Sequence, residues 1–336
     1  MIYKLKSLVI KPILSCTANC PTCVLRMDLF KDRKSQNTLS LDVWRKIIDD
    51  AAMLGCIDFT ISGGEPLLYD DLPELIACAA RNEMVSNLNT NGSLVTLENS
   101  LAFSMAGLTN ATISVYSHDS KLHDQMRHEN GLFAKAINAI RFLRVQKNIV
   151  IYLQTILTNY NIEDFDKFIA MAYKLDVNYI CVSYLEGDMS GKFLPSLEQI
   201  NRFKNLTALR AIDVVSKNSS GKVADEAMQQ INLMFANDAV GNLAFSQGEY
   251  GKTGKKYCPI PYGFALILAD GDVLPCNGIE YAHEPIMGNI NSTPLHEIWT
   301  SEKWGKYRKE RYGWCDKCPM TLHFKIPIFP VENFSS

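Results

Sequence analysis

Six apolar, strand-like runs alternate with amphipathic stretches through the first two thirds of the chain, and no other feature constrains the fold as tightly. The runs lie near 8–14, 57–62, 84–90, 109–116, 149–157 and 178–185, with helical patterns near 40–54, 71–82, 96–106, 131–147, 162–175 and 196–212. Ser40 stands as a helix cap ahead of the face Val43, Trp44, Ile47 and Ile48, while Leu132, Ala136, Ile137, Ile140 and Leu143 repeat at helical spacing. Strands separated by helices in this way form a parallel sheet through right-handed crossovers. The class is therefore α/β, either an open doubly wound sheet or a curved partial barrel. Composition agrees: of 336 residues 47% are apolar and 21% charged, values of a globular chain. A formal charge of −2 leaves no basic footprint for nucleic acid.

The alternation degrades after about residue 215. We divide the chain into a core at 1–215, a linker with a helical stretch near 224–236 and a loop at 241–256, and a small module at 256–336. Within the module, Phe264–Leu268 and Val273–Leu274 flank an Asp270-Gly271 turn and read as a strand pair. Gly251-Lys252-Thr253-Gly254-Lys255 lacks both the spacing and the preceding strand of a phosphate loop.

Ten cysteines are the unusual feature of the composition. A chain this large does not need a disulfide framework, so the thiols point to metal. The run Leu8-Val9-Ile10 after Lys4 and Lys6 superficially resembles an export or lipidation signal, but Lys11 and Pro12 interrupt it. With no run of the roughly 18 apolar residues needed to span a bilayer, the expected location is the cytoplasm, away from membranes.

Cys16, Cys20 and Cys23 form a Cys-x-x-x-Cys-x-x-Cys run directly after the first strand. Three thiolates in one loop can grip one face of an iron–sulfur cube, whose irons sit at separate corners, and leave one iron open; the alternative is three unrelated buried cysteines. Structural zinc requires a fourth ligand nearby, and the next cysteine is Cys56. Ser62-Gly63-Gly64-Glu65-Pro66 ends the second strand, Thr90-Asn91-Gly92 the third, and Ile113-Ser114-Val115-Tyr116 precedes His123, Asp124 and Arg127.

With these motifs on successive strand ends, the sequence resembles the radical S-adenosylmethionine (radical SAM) superfamily. The resemblance implies a partial (β/α)6 TIM-like barrel with a 4Fe-4S cluster and S-adenosylmethionine at the C-terminal strand ends. It implies that the cofactor's amino group lies at Ser62, Gly63, Gly64 and Glu65, with Asn91 nearby, and its carboxylate at Ser114 and Arg127. It further implies reductive cleavage to a 5′-deoxyadenosyl radical that abstracts hydrogen from a substrate, with an electron donor such as a flavodoxin or ferredoxin. Two departures bear on the adenine and ribose contacts: Thr22 replaces the usual aromatic residue before the third cysteine, and Ser117-His118 replaces an Asp-Gly pair.

Cys258, Cys276, Cys315 and Cys318 supply four thiols to the small module. By themselves they suit either zinc or a 4Fe-4S cluster. With Met287-Gly288-Asn289-Ile290 and Leu295-His296-Glu297-Ile298-Trp299 between them, they resemble the SPASM or shorter Twitch extension. That resemblance implies one auxiliary 4Fe-4S cluster ligated by all four, in the Twitch-like form.

Cys56 and Cys78 read as small core residues. Cys181 shares a strand face with Ser183 and is either a packed thiol or a hydrogen-atom donor to a substrate radical. Glu186 and Asp188, after the sixth strand, are either solvated loop ends or substrate-orienting or proton-accepting groups. Gln154 and Asn159 are weaker candidates of the same kind, and His118, His123 and His128 read as surface groups or groups behind the site. The leading expectation is dehydrogenation, epimerisation or deoxygenation of a small aminoglycoside-, cyclitol- or sugar-like molecule. The alternatives are modification of a ribosomally made peptide and a non-catalytic iron–sulfur scaffold.

Overall fold

A computed structural model describes residues 3–26, 38–185, 191–218, 221–235, 239–248, 258–276, 285–309, 315 and 318. Its core is six strands with the helices that connect them: β1 Ser7–Lys11, α1 Leu41–Met53, β2 Asp58–Ile61, α2 Leu72–Arg81, β3 Val85–Thr90, α3 Leu97–Ala106, β4 Asn110–Ser114, α4 Ser120–Arg127, α5 Leu132–Val145, β5 Val150–Leu157, α6 Phe165–Leu175 and β6 Tyr179–Tyr184. All six strands pair in parallel with their sequence neighbours. The expected strands and crossover helices are thus present, with α4 as an unexpected addition.

Strand alternation separates two faces. Leu8, Ile10, Phe59, Ile61, Leu88, Ala111, Ile113, Leu153 and Val182 are sealed in the core that the helices cover. The opposite face is half-buried and mixed, carrying Asn89, Thr112, Ser114, Gln154, Cys181 and Ser183 beside Val9, Tyr152, Ile156 and Tyr179. A hydrophobic sheet face must be buried and a polar one need not be, so this alternation sets which side of the sheet the crossover helices cover.

Local chemistry fixes several element ends. α3 begins in a capping box, Thr96 Oγ1 accepting from Asn99 N and Asn99 Oδ1 from Thr96 N, and ends at Gly107 in the left-handed region. The helical pattern expected at 196–212 is α7 Leu197–Arg202 and α8 Ala208–Asn218, joined by a π-helical turn at Phe203–Thr207. α9 Lys222–Phe235 follows, then α10 Ala239–Ser246 and a turn at Gln247 and Gly248, so part of the segment expected as a loop is helical; 249–256 lie outside the described residues.

The cysteine module is built onto the same sheet. β7 Phe264–Leu268 pairs in parallel with β1, and β8 Asp272–Leu274 and β9 Gly288–Asn289 continue it antiparallel. The order is β6-β5-β4-β3-β2-β1-β7-β8-β9. The Asp270-Gly271 turn forms as expected, Gly271 taking φ +90 and Asp270 Oδ1 accepting from Asp272 N. α11 Leu295–Thr300 and α12 Glu302–Tyr307 complete the module. Trp299 Nε1 donates to Tyr3 O at 2.7 Å, Trp304 Nε1 to Pro261 O at 3.0 Å, and His296 Nδ1 lies 2.9 Å from Asp50 Oδ1 of α1. Among the described residues no helix is long and apolar enough to cross a membrane.

Candidate active site

The cysteine loop leaves the end of β1 and passes directly over the turn after β2. Gly64 N donates to Ile13 O at 2.9 Å and Glu65 N to Ser15 O at 2.8 Å. A Cβ on Gly63 would lie 2.3 Å from Ile13 O, and one on Gly64 would lie 1.9 Å from Ser15 O. Real Cβ contacts do not come this close, so both glycines are required by the loop that carries Cys16. This is a use of the Gly-Gly pair that strand-end reasoning missed.

Glu65 is fully buried, and its carboxylate is engaged first by the protein itself. Oε1 accepts from Thr90 Oγ1 at 2.6 Å and from Leu67 N at 3.3 Å, and Oε2 accepts from Asn91 N at 2.9 Å. Burial pushes its pKa up, against these hydrogen bonds and the charge of Arg127. Asn91 continues the chain of contacts, Nδ2 donating to Thr17 Oγ1 at 2.9 Å and to Cys16 Sγ at 3.6 Å. The ends of β2 and β3 and the cysteine loop are thereby locked into one unit.

The stretch from His123 to Arg127 divides into three tasks. His123, fully buried, accepts at Nδ1 from Tyr116 N at 3.0 Å. Burial, followed by Arg127, lowers its pKa to about 3, keeping it neutral. Asp124 caps α5, its oxygens accepting from Gly131 N at 2.6 Å and Phe133 N at 2.8 Å. Arg127, 5% exposed, lies with its guanidinium carbon 4.3 Å above the Tyr116 ring. Burial opposes its charge, while Tyr116 and the thiols of Cys20, Cys16 and Cys23 raise its pKa. Ser117-His118 makes a serine-stabilised turn, Ser117 Oγ accepting from Asp119 N, and Asp119 then caps α4.

Cys16, Cys20 and Cys23 lie within electrostatic reach of one another; burial raises the pKa of Cys16 and Cys20, and Arg127 lowers both. Among the described residues no three Cys, His, Asp or Glu groups converge as around a single metal ion. The donor set fits a 4Fe-4S cube, whose corners take thiolates apart from one another. Arg127 Nε is buried with no hydrogen-bond partner, which fits an anionic group such as an amino-acid carboxylate beside the cluster.

Three thiols of the second set, Cys258, Cys276 and Cys315, lie within electrostatic reach of Tyr307. Its hydroxyl lies 3.4 Å from Cys276 Sγ. Burial raises its pKa, with Cys276, Cys315 and Cys258 adding to the rise. Cys318 N donates to Cys315 O at 3.4 Å, folding that pair into a turn.

The radical SAM superfamily profile matches residues 10–172, and the SPASM iron–sulfur cluster-binding domain profile matches 258–319. The chain belongs to the radical SAM superfamily. Its cofactors are 4Fe-4S clusters and S-adenosylmethionine, and the SPASM match includes Cys258, Cys276, Cys315 and Cys318. Solved structures share the fold. Streptococcus suis SuiB bound to precursor peptide SuiA superposes with TM-score 0.70 at 18% identity, covering 94% of this chain and 71% of that one. Streptococcus suis SuiB bound to S-adenosylmethionine gives 0.69 at 17%, covering 94% and 72%. Native anSMEcpe with bound AdoMet and Cp18Cys peptide gives 0.64 at 18%, covering 94% and 86%.

In this radical SAM core, Ser114 and Gln154 meet on the half-buried sheet face, Oγ and Oε1 3.4 Å apart, and Gln154 Nε2 donates to Ser183 Oγ at 3.0 Å. Cys181 is on the same face of β6, its thiol pushed up to about 11 by burial and by Glu226 of α9. Asn159 is instead tied to a neighbouring loop, its N and Nδ2 donating to Phe193 O and Lys192 O. Cys56 and Cys78 are buried core residues, as expected. Glu186 and Asp188 lie outside the described residues.

Proposed function

We propose that this radical SAM enzyme abstracts hydrogen from a C–H bond of a small, hydroxyl- or amino-bearing molecule, with epimerisation as the outcome the geometry supports best. The observation that carries the reading is the polar row Ser114, Gln154 and Ser183, which shares its face with the Cys181 thiol. Bound at the reduced cluster, S-adenosylmethionine supplies the 5′-deoxyadenosyl radical that takes the hydrogen atom. Cys16, Cys20 and Cys23 hold that cluster, the backbone of Ser62 to Gly64 faces the cofactor's amino group, and Ser114 and Arg127 hold its carboxylate. Cys258, Cys276, Cys315 and Cys318 hold the auxiliary cluster. Gln154 and Ser183 orient substrate hydroxyl or amino groups. Cys181, held protonated, returns a hydrogen atom to the opposite face of the substrate radical, and one electron from an external donor of the ferredoxin or flavodoxin class together with one proton from solvent converts the resulting thiyl back to the thiol.

The test is 5′-deoxyadenosine formation by the reconstituted, reduced enzyme against two panels. Aminocyclitols and amino sugars are expected to stimulate it, and short peptides are not. Stimulation by peptides alone overturns the reading in favour of peptide modification, the second reading, supported by the peptides bound to SuiB and anSMEcpe. With an active substrate, Cys181→Ala is expected to keep cleavage and lose deuterium incorporation from D2O; unchanged incorporation removes Cys181 as donor.

A further inference from the structure

We propose that Asn91 is a positioning residue for the catalytic cluster: its side-chain amide holds Cys16 and donates a hydrogen bond to the sulfur, raising the cluster's reduction potential. Asn91 is 4% exposed, and its orientation is fixed at its backbone N–H and at both polar atoms of its side chain. Its backbone N–H is taken by Glu65 Oε2 at 2.9 Å. Its Oδ1 accepts from Ser93 N at 2.8 Å, which determines which end of the amide is oxygen. Nδ2 must then face the cysteine loop, where its two hydrogens meet two acceptors, Thr17 Oγ1 at 2.9 Å and Cys16 Sγ at 3.6 Å. Thr17 Oγ1 is itself tied to Ser93 Oγ at 2.7 Å, so rotation of the amide away from the sulfur breaks several contacts at once. Ala18 N is a second donor to the same sulfur, at 3.4 Å.

Reduction adds negative charge to a cluster and its thiolates. A hydrogen bond to a ligating sulfur stabilises the reduced state more than the oxidised one, so losing it makes the cluster harder to reduce. The inference rests on Cys16 being a cluster ligand and is independent of the substrate.

The experiment is a potentiometric titration of the full-length, fully loaded enzyme, following the electron paramagnetic resonance signal that changes when S-adenosylmethionine is added. Asn91→Ala removes the donor and keeps the backbone N–H to Glu65. Asn91→Asp keeps the shape but turns a carboxylate oxygen toward the sulfur. The expected change is roughly tenfold in the reduction equilibrium for Asn91→Ala, about 59 mV more negative for one electron, and a larger change in the same direction for Asn91→Asp. Potentials that do not move, or that move positive, overturn the proposal. Failure of both variants to assemble the first cluster while the auxiliary one loads also overturns it, leaving Asn91 a purely structural role.

Discussion

The two cysteine regions are built on opposite plans. Cys16, Cys20 and Cys23 come from one short loop, shaped by contacts with neighbouring strand ends: two glycines without room for a Cβ, a buried carboxylate with three donors, and an amide reaching a sulfur. Cys258, Cys276, Cys315 and Cys318 come from opposite ends of the module, and tertiary packing brings Cys258, Cys276 and Cys315 within electrostatic reach of Tyr307. There Tyr307 stands beside Cys276, Trp304 and Arg308 tie the module together at Pro261, and Trp299 and Arg308 clamp it to Tyr3 of the core. A locally braced loop presents its thiols through backbone geometry, whereas a dispersed set depends on the packing of large side chains. Defects in the two regions should therefore separate.

The largest expected separation is chemical. Cys20→Ala should abolish 5′-deoxyadenosine formation and lower the iron content from about eight to about four per chain. Cys276→Ala should lose a similar amount of iron but retain the cofactor-perturbed resonance signal. Identical behaviour of the two variants would show that the two regions do not fail independently.

Next are two packing substitutions. Trp304 is fully buried, and Trp304→Ala should cost about 3–5 kcal/mol in denaturant unfolding, with the auxiliary cluster lost first. Gly64→Ala forces a Cβ into Ser15 O and should cost about 3 kcal/mol, with the first cluster lost selectively. Iron content and resonance spectra of each variant report which cluster survives.

The smallest effect is acid sensitivity confined to the first region. His123 titrates near 3 in the fold, against an ordinary value of 6.5, so the unfolded chain binds more protons between those values. The stability tied to its neutral form is complete above about pH 6.5 and is lost as the pH falls toward about 3. His123→Asn keeps an acceptor for Tyr116 N and should flatten that slope in pH-dependent unfolding curves; an unchanged slope would remove His123 as its source.

Much of this architecture is legible in the sequence. All six core strands fall where apolar runs indicated them, because a strand buried on one face keeps a strict period. The face of Cys181 followed from the same alternation. α4 did not, because its buried face is His123, Met126 and Arg127, and two of those residue types pattern as exposed until Tyr116 and Phe133 surround them. Gly241 and Asn242 likewise weaken the helical pattern across Ala239–Ser246. At the site, the motifs marked which residues matter but not what they touch. Glu65 reads as a partner for a cofactor ammonium, yet its donors come from Leu67, Thr90 and Asn91, and only folding brings the last two to it.

The pairing of β1 with β7, Ser7 opposite Phe264, has a consequence for biogenesis. During synthesis β1 can pair with β2 early, but its other edge has no partner until the chain has grown past β7. An unpaired apolar edge is a template for aggregation, and its closure is delayed by the long separation in sequence. The cysteine loop springs from the end of that same strand. A nascent chain therefore carries its first three thiols beside an open sheet edge, and sealing that edge is coupled to arrival of the segment that bears the auxiliary cysteines.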